Sequence, residues 1–189
     1  VNLGANYGLL MSGSYKSFGK KYIHDDKFLS LIGAIGSMGN GLSRFFWAAM
    51  LDRFEFKCLY SALLVLNGVL ALTVSYAVTI PQVYLVYVLL TYVCYGGHLG
   101  MFPAITSQVF GVRNGTQIYG LLFQGFATSS LIQFILLRTV KPSYGYQPIF
   151  WLEVIFSGLA MFFANSVEFK YDWSEKIREN NDRKRLAAR

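Results

Sequence analysis

Arg44 carries a fixed positive charge inside Phe28 to Leu51, a stretch otherwise suited to hydrocarbon. An ionised side chain at the centre of a bilayer costs roughly 3 kcal/mol or more, so it normally faces a partner or a watery cavity. Two uses are open to it: ligation of an anionic substrate, or pairing with carbonyls or a carboxylate of a neighbouring helix. Asn40, one turn earlier, could bind the same ligand or tie two helices together. His98 can hold an anion when protonated or relay a proton, and it can equally be a plain interhelical hydrogen-bonder. Gln124 and Thr128 fall on one helical face and line a polar path or serve as glue, as does Gln133. Glu153 is the one clear carboxylate within an apolar block, suited to ion coupling if it is dry and to nothing special if it is wet. After the Arg44 block comes a compact charged turn, Asp52-Arg53-Phe54-Glu55-Phe56-Lys57.

The elements that must position these groups are membrane helices. Of the 189 residues 54% are hydrophobic and only 14% charged, against roughly a quarter charged in soluble domains. The apolar residues come in blocks long enough to cross a bilayer, which takes about 20 helical residues. The expected spans after a short first block (Val1 to about Ser14) are Phe28–Leu51, Cys58–Val78, Gln82–Val109, Tyr119–Leu137 and Ile149–Ser166. Thr79-Ile80-Pro81 breaks the chain between two of them. Residues 1–166 thus form a helical bundle, and 167–189 a polar, charged tail that is helical or disordered. The first block ends in a polar loop, Tyr15 to Lys27, and the opening Val1 suggests a piece of a longer chain.

Within Phe28–Leu51, Gly33, Ser37, Asn40, Arg44 and Ala48 form a small and polar stripe expected to face the interior. Leu31, Ile35, Met38, Leu42, Phe45 and Ala49 form the opposite, mostly apolar stripe. Arg44 is about 10 Å along the axis from Leu51, and its side chain leans toward the helix start, away from that nearer interface. Trp47, Trp151 and Trp173 suit interfacial anchors. The net charge of +7 lies in loops and the tail, as topology signals do, and does not argue for nucleic acid. The excess of Lys and Arg on the tail's side places the tail in the cytosol or matrix. Cys58 and Cys94 suit buried free thiols. The sequence holds no phosphate-cradling loop, metal-ligand cluster or nucleophile–base pair, so neither an enzyme nor a cofactor is expected.

Two segments carry a family resemblance. Gly39-Asn-Gly-Leu-Ser-Arg44-Phe-Phe-Trp47, followed by Leu51-Asp-Arg53, resembles the eighth helix and following turn of the major facilitator superfamily. More specifically it resembles the oxalate/formate antiporter and monocarboxylate transporter branch, where NG-x-x-R-x-x-W precedes a G-x-x-x-DR-x-GRK loop. Gly96-Gly-His-Leu-Gly-Met-Phe-Pro103, then Val109-Phe-Gly111-Val-Arg113 through Gly120-Leu-Leu-Phe123, resembles the tenth-to-eleventh helix signature of that branch.

The resemblance covers about Ala5 to Ser166 and implies helices seven to twelve of a twelve-helix transporter, the seventh truncated. It implies substrate carboxylate on Arg44, with Asn40, His98 and Gln124 as further substrate-binding candidates and Asp52, Arg53 and Lys57 as a gating turn. Asn40 stands where monocarboxylate transporters carry a proton-coupling aspartate. Phe126 stands where oxalate-type members carry a lysine, so one cation remains, which suits a monocarboxylate. Ala48 replaces the loop's glycine, and Glu55-Phe56 its Gly-Arg pair. The implied activity is secondary transport of a small organic anion by alternating access. The implied partners are membrane lipid and an amino-terminal half, in the plasma membrane or an organelle membrane such as the mitochondrial inner membrane. The alternative is a transporter-derived structural subunit, without transport, packed among other subunits of a membrane complex.

Overall fold

The computed structural model describes residues 2–166, together with Arg178 and Leu186. The tail expected over 167–189, Trp173 included, otherwise lies outside the described residues. The described residues form five helical stretches: α1 (Asn2–Gly19), α2 (Asp26–Met50), α3 (Phe56–Ala77), α4 (Pro81–Tyr144) and α5 (Gln147–Ser166). Stretches α3, α4 and α5 are long and apolar enough to cross a membrane. At 1.5 Å per residue the 25 residues of α2 reach about 38 Å. The chain is an all-α integral membrane bundle.

Local chemistry sets the boundaries. The Asp25 side chain caps α2 by accepting from the backbone N–H groups of Lys27 and Phe28, at 2.9 and 3.1 Å. Pro81 opens α4 at its first position, where a missing N–H is harmless. The 64 residues of α4 are two arms, 81–110 and 112–144, broken at Gly111 with φ 76° and ψ 159°. That φ favours glycine. A Cβ on Gly115 would meet Thr106 O at 2.6 Å and Ser107 Cα at 2.7 Å, so the second arm folds back against the first. One glycine does the work of the connection expected between Val109 and Tyr119, and the helix resumes at once after it. Likewise α1 continues beyond Ser14 to Gly19, because Phe18 is buried edge-on against Tyr84, Tyr146 and Phe150.

Successive helices and arms run antiparallel. At one end Lys21 and Lys141 both lie over the Tyr146 ring, at 5.3 and 4.8 Å. At the other, Lys57 Nζ donates to Asn165 O at 3.3 Å. The core lies where α1, α3 and the first arm of α4 meet, with Tyr7, Leu10, Met11, Leu63 and Met101 almost fully buried. The apolar stripe of α2 faces outward: Met38 is 67% and Phe45 78% exposed, as a lipid-facing surface should be. Of the two thiols Cys94 is buried, whereas Cys58, expected to be buried, is exposed in the first turn of α3.

Candidate functional site

The seam between α2 and the first arm of α4 is built on glycine. Gly96 and Gly100, four apart on one face, let the two backbones touch: a Cβ on Gly100 would lie 2.5 Å from Arg44 O and 2.9 Å from Arg44 Cα. A Cβ on Gly96 would lie 2.5 Å from Asn40 O and also strike Ser43 Oγ. Small residues at this spacing are how membrane helices approach closely without a hydrophobic driving force. Side chains then brace the seam. Asn40 Nδ2 donates to Tyr92 O at 3.2 Å, and Trp47 Nε1 donates to Val93 O at 3.1 Å. Trp47, expected as an interfacial anchor, is therefore a cross-brace between helices.

This crossing fixes where Arg44 goes. The buried face of α2 runs through Ile32, Gly33, Gly36, Asn40 and Ser43. The small-polar stripe expected inside is accordingly split, with Gly33 and Asn40 enclosed and Ser37 and Arg44 exposed at the rim. Among the described residues the guanidinium is held by Asn40: Nη2 and Nε donate to Asn40 Oδ1 at 2.9 and 3.3 Å. Asn40 thus accepts from Arg44 with its oxygen while its nitrogen is tied to α4, which locks the orientation of both. Charge-assisted bonds of this kind are roughly twice as strong as neutral ones. The Arg44 charge also acts on the hydroxyls of Tyr95 and Tyr119, one from each arm of α4. Behind them the rings continue, Tyr95 to Phe126 at 6.3 Å, Phe126 to Phe123 at 5.1 Å and Phe123 to Tyr119 at 5.8 Å. The result is one cation on an open rim, backed by an aromatic wall.

The other candidates lie elsewhere. His98 is two residues from Gly96, about 200° round the helix, and is fully buried among α1, α3 and α4. Its Nε2 is 3.2 Å from Asn67 Nδ2, which also donates to Gly4 O at 3.3 Å, and Tyr60 meets its ring edge-on. Gln124 is exposed, and its backbone carbonyl accepts from Thr128 Oγ1; the Arg44 hydrogen bonds go to Asn40 and do not include it. Gln133 is buried and bonds Glu153 and Asn6. In the charged turn Asp52 is half-buried, Arg53 exposed and Lys57 engaged with Asn165 at the start of α3. The structure therefore brings Arg44 and Asn40 together and sets His98 in a different seam, against Asn67 and Tyr60. Tyr95 and Tyr119 were not singled out from the sequence. Tyr95 adjoins Gly96 and could have been found from the glycine seam, but Tyr119 reaches Arg44 only through the reversal at Gly111.

Comparison with known proteins places this geometry in context. The family model described as Major Facilitator Superfamily matches residues 4–184. The chain is 25% identical to the oxalate:formate antiporter of Oxalobacter formigenes over 168 residues, 88% of this chain and 40% of that protein. It is 29% identical to apicoplast pyruvate carrier 2 of Toxoplasma gondii over 125 residues, 60% of this chain and 17% of that protein. It is 30% identical to apicoplast pyruvate carrier 1 of the same organism over 115 residues, 59% of this chain and 21% of that protein. The chain spans less than half the length of these relatives.

Proposed function

The chain belongs to the major facilitator superfamily, and from that premise we propose that it forms part of a secondary transporter for a small organic monocarboxylate, with Arg44 as the carboxylate ligand. The observation that carries this reading is the state of Arg44. Its charge sits on an accessible rim, oriented by Asn40 and without a carboxylate partner among the described ion pairs. An arginine fork matches a carboxylate bidentately. The aromatic wall supports the monovalent choice, because it includes Phe126, which stands, by the resemblance to oxalate-type carriers, in place of their lysine. Similarity to two pyruvate carriers and an oxalate:formate antiporter fits a small carboxylate. The two apicoplast relatives favour an organelle membrane. Transport then follows by rocking of this bundle against an amino-terminal one around a central site, the alternating access of the superfamily.

Reconstitution of the full polypeptide carrying this chain, with labelled pyruvate, formate and oxalate, tests the reading. Uptake of the monocarboxylates above oxalate, lost in Arg44→Ala, is expected; equal uptake by wild type and Arg44→Ala removes Arg44 from the site. A second reading, a transporter-derived structural subunit, draws on one observation. Phe56, at the position of an arginine in the related turn, is buried and stacked on Tyr60 at 5.3 Å instead of presenting charge. Absence of any carboxylate flux, together with co-purifying membrane subunits, would favour it.

A further inference from the structure

A second polar site lies in the bundle where α1, the second arm of α4 and α5 meet. Glu153 is 0% exposed, six residues into α5, so about 9 Å from the helix start. Its Oε1 accepts from Gln133 Nε2 at 2.5 Å. The same nitrogen lies 3.4 Å from both Asn6 O and Asn6 Oδ1, so its two hydrogens are spoken for. Two buried atoms of the pair remain bare: Glu153 Oε2 and Gln133 Oε1. Both are acceptors when the carboxyl is ionised, so neither can satisfy the other. One proton on Oε2 turns it into a donor and completes a reciprocal acid–amide pair.

Among the described residues no cation is paired with the group. From α1 the facing groups are Asn6 and the phenol of Tyr7, which interacts electrostatically with Glu153. From α4 comes Gln133; Cys94 and Tyr87 act on Tyr7 instead. Arg138 is exposed, and Lys141 is committed to the Tyr146 ring. The basic residue of α3 is Lys57, bonded at Asn165, twelve residues further along α5 and thus about 18 Å from Glu153. The ion pairs among the described residues both belong to Asp26. An ionised carboxylate buried with one neutral donor is far costlier than its protonated form.

We propose that Glu153, paired with Gln133, is a proton-binding site that couples movement of the anion to movement of a proton. Binding forms the Oε2–H bond with a proton taken from water. Release returns it to water when α1 and α5 part enough to wet the cluster. Coupling rests on the transport reading above; proton binding does not.

Infrared spectra of the reconstituted full polypeptide in deuterated buffer at neutral pH test the site without any transport. The carbonyl band of a protonated carboxylic acid is expected in wild type and absent in Glu153→Gln. Loss of an ionised-carboxylate band in its place overturns the proposal. Should Glu153→Gln fail to fold, Glu153→Asp must shift the protonated band, and an unshifted band overturns it equally. Coupling is read by pyruvate flux. A gradient of one pH unit supports at most about tenfold accumulation at one proton per anion. Wild type should approach that value, and Glu153→Gln should keep pyruvate–pyruvate exchange while accumulating nothing. Accumulation retained in Glu153→Gln, or exchange without accumulation in wild type, defeats the coupling. A wild type with no flux but with the Glu153 band defeats the transport reading alone.

Discussion

Arg44 and Glu153 are polar groups set into the same bundle on opposite terms. Arg44 lies at the rim of a seam where two backbones touch, and a single side chain, Asn40, orients it. Glu153 lies where three helical segments meet, wholly enclosed, with a single amide donor and a bare second oxygen. An exposed cation can exchange one carboxylate for another without disturbing its helix. An enclosed carboxyl can exchange nothing larger than a proton until the helices move. Accessibility, more than charge, thus separates a group suited to a ligand from one suited to an ion. For Arg44 that accessibility follows from Gly96 and Gly100, which let α4 pass directly beneath it.

Replacing the small residues of the seam should break the comparison most severely. In Gly100→Val the first side-chain carbon meets the carbonyl and Cα of Arg44, which are backbone and cannot rotate away. Overpacking of a close core costs about 1–3 kcal/mol, and a rigid backbone contact belongs at the upper end. A marked fall in the detergent melting temperature is expected. Gly120→Ala, where a Cβ meets nothing within 4 Å, should leave it unchanged within error. Equal melting temperatures for the two variants would show that the seam does not depend on Gly100.

Next in size is removal of the Arg44 fork. Hydrogen bonds to charged groups are worth about 1.5–3 kcal/mol, so Arg44→Ala should lower carboxylate affinity roughly 10- to 100-fold. Arg44→Lys keeps the charge but cannot grip Asn40 and substrate through one planar fork. It should recover only part of the loss, read as KM in uptake assays. Full recovery would mean that charge alone matters and that orientation by Asn40 does not.

A smaller effect is expected from Asn40→Asp. The new carboxylate would accept from Arg44 in place of the amide oxygen and partly neutralise the cation the substrate needs. It would also lose the amide donor that holds Tyr92 O. Substrate affinity should fall about tenfold at neutral pH, a loss of about 1.4 kcal/mol. Affinity should recover on acidification, because protonating the new aspartate frees the guanidinium. Affinity independent of pH in this variant would place the substrate away from Arg44.

How much of this was legible in the sequence depended on sequence distance. The helical character, the break at Thr79-Ile80-Pro81, and Asn40 beside Arg44 all rest on spacings of a turn or less, which helical periodicity displays directly. The rim position of Arg44 was not visible, since the stripe Gly33-Ser37-Asn40-Arg44-Ala48 is one face by periodicity. Only the crossing at Gly96 and Gly100 decides which part of it is covered. The Glu153–Gln133–Asn6 cluster joins residues far apart in sequence. Gln133 meets Glu153 through the turn at Gly145 between α4 and α5, and Asn6 joins them only because α4 reverses at Gly111. The length of α1 was obscured because Tyr15-Lys-Ser-Phe18 looks polar until Phe18 finds three rings to pack against.

The smallest expected effect sharpens the contrast by giving a carboxylate a third environment. Asp26, in the first turn of α2, bonds Lys20 at 2.7 Å and Lys16 at 3.0 Å while remaining exposed. Those bonds hold its carboxyl below the ordinary value of 3.8. A carboxylate stabilised in its charged form contributes stability above its unfolded value and loses it as pH falls through the lowered folded value. The melting temperature of wild type should therefore exceed that of Asp26→Asn slightly at neutral pH. The gap should close in acid and shrink in high salt, because exposed pairs are screened. Glu153→Gln should move the other way: a carboxyl protonated in the fold but ionised in the unfolded chain makes the wild type lose stability as pH rises, so wild type should gain on Glu153→Gln from neutral pH into acid. If wild type instead loses ground to both variants in acid, Glu153 is ionised in the resting bundle and resembles Asp26 after all.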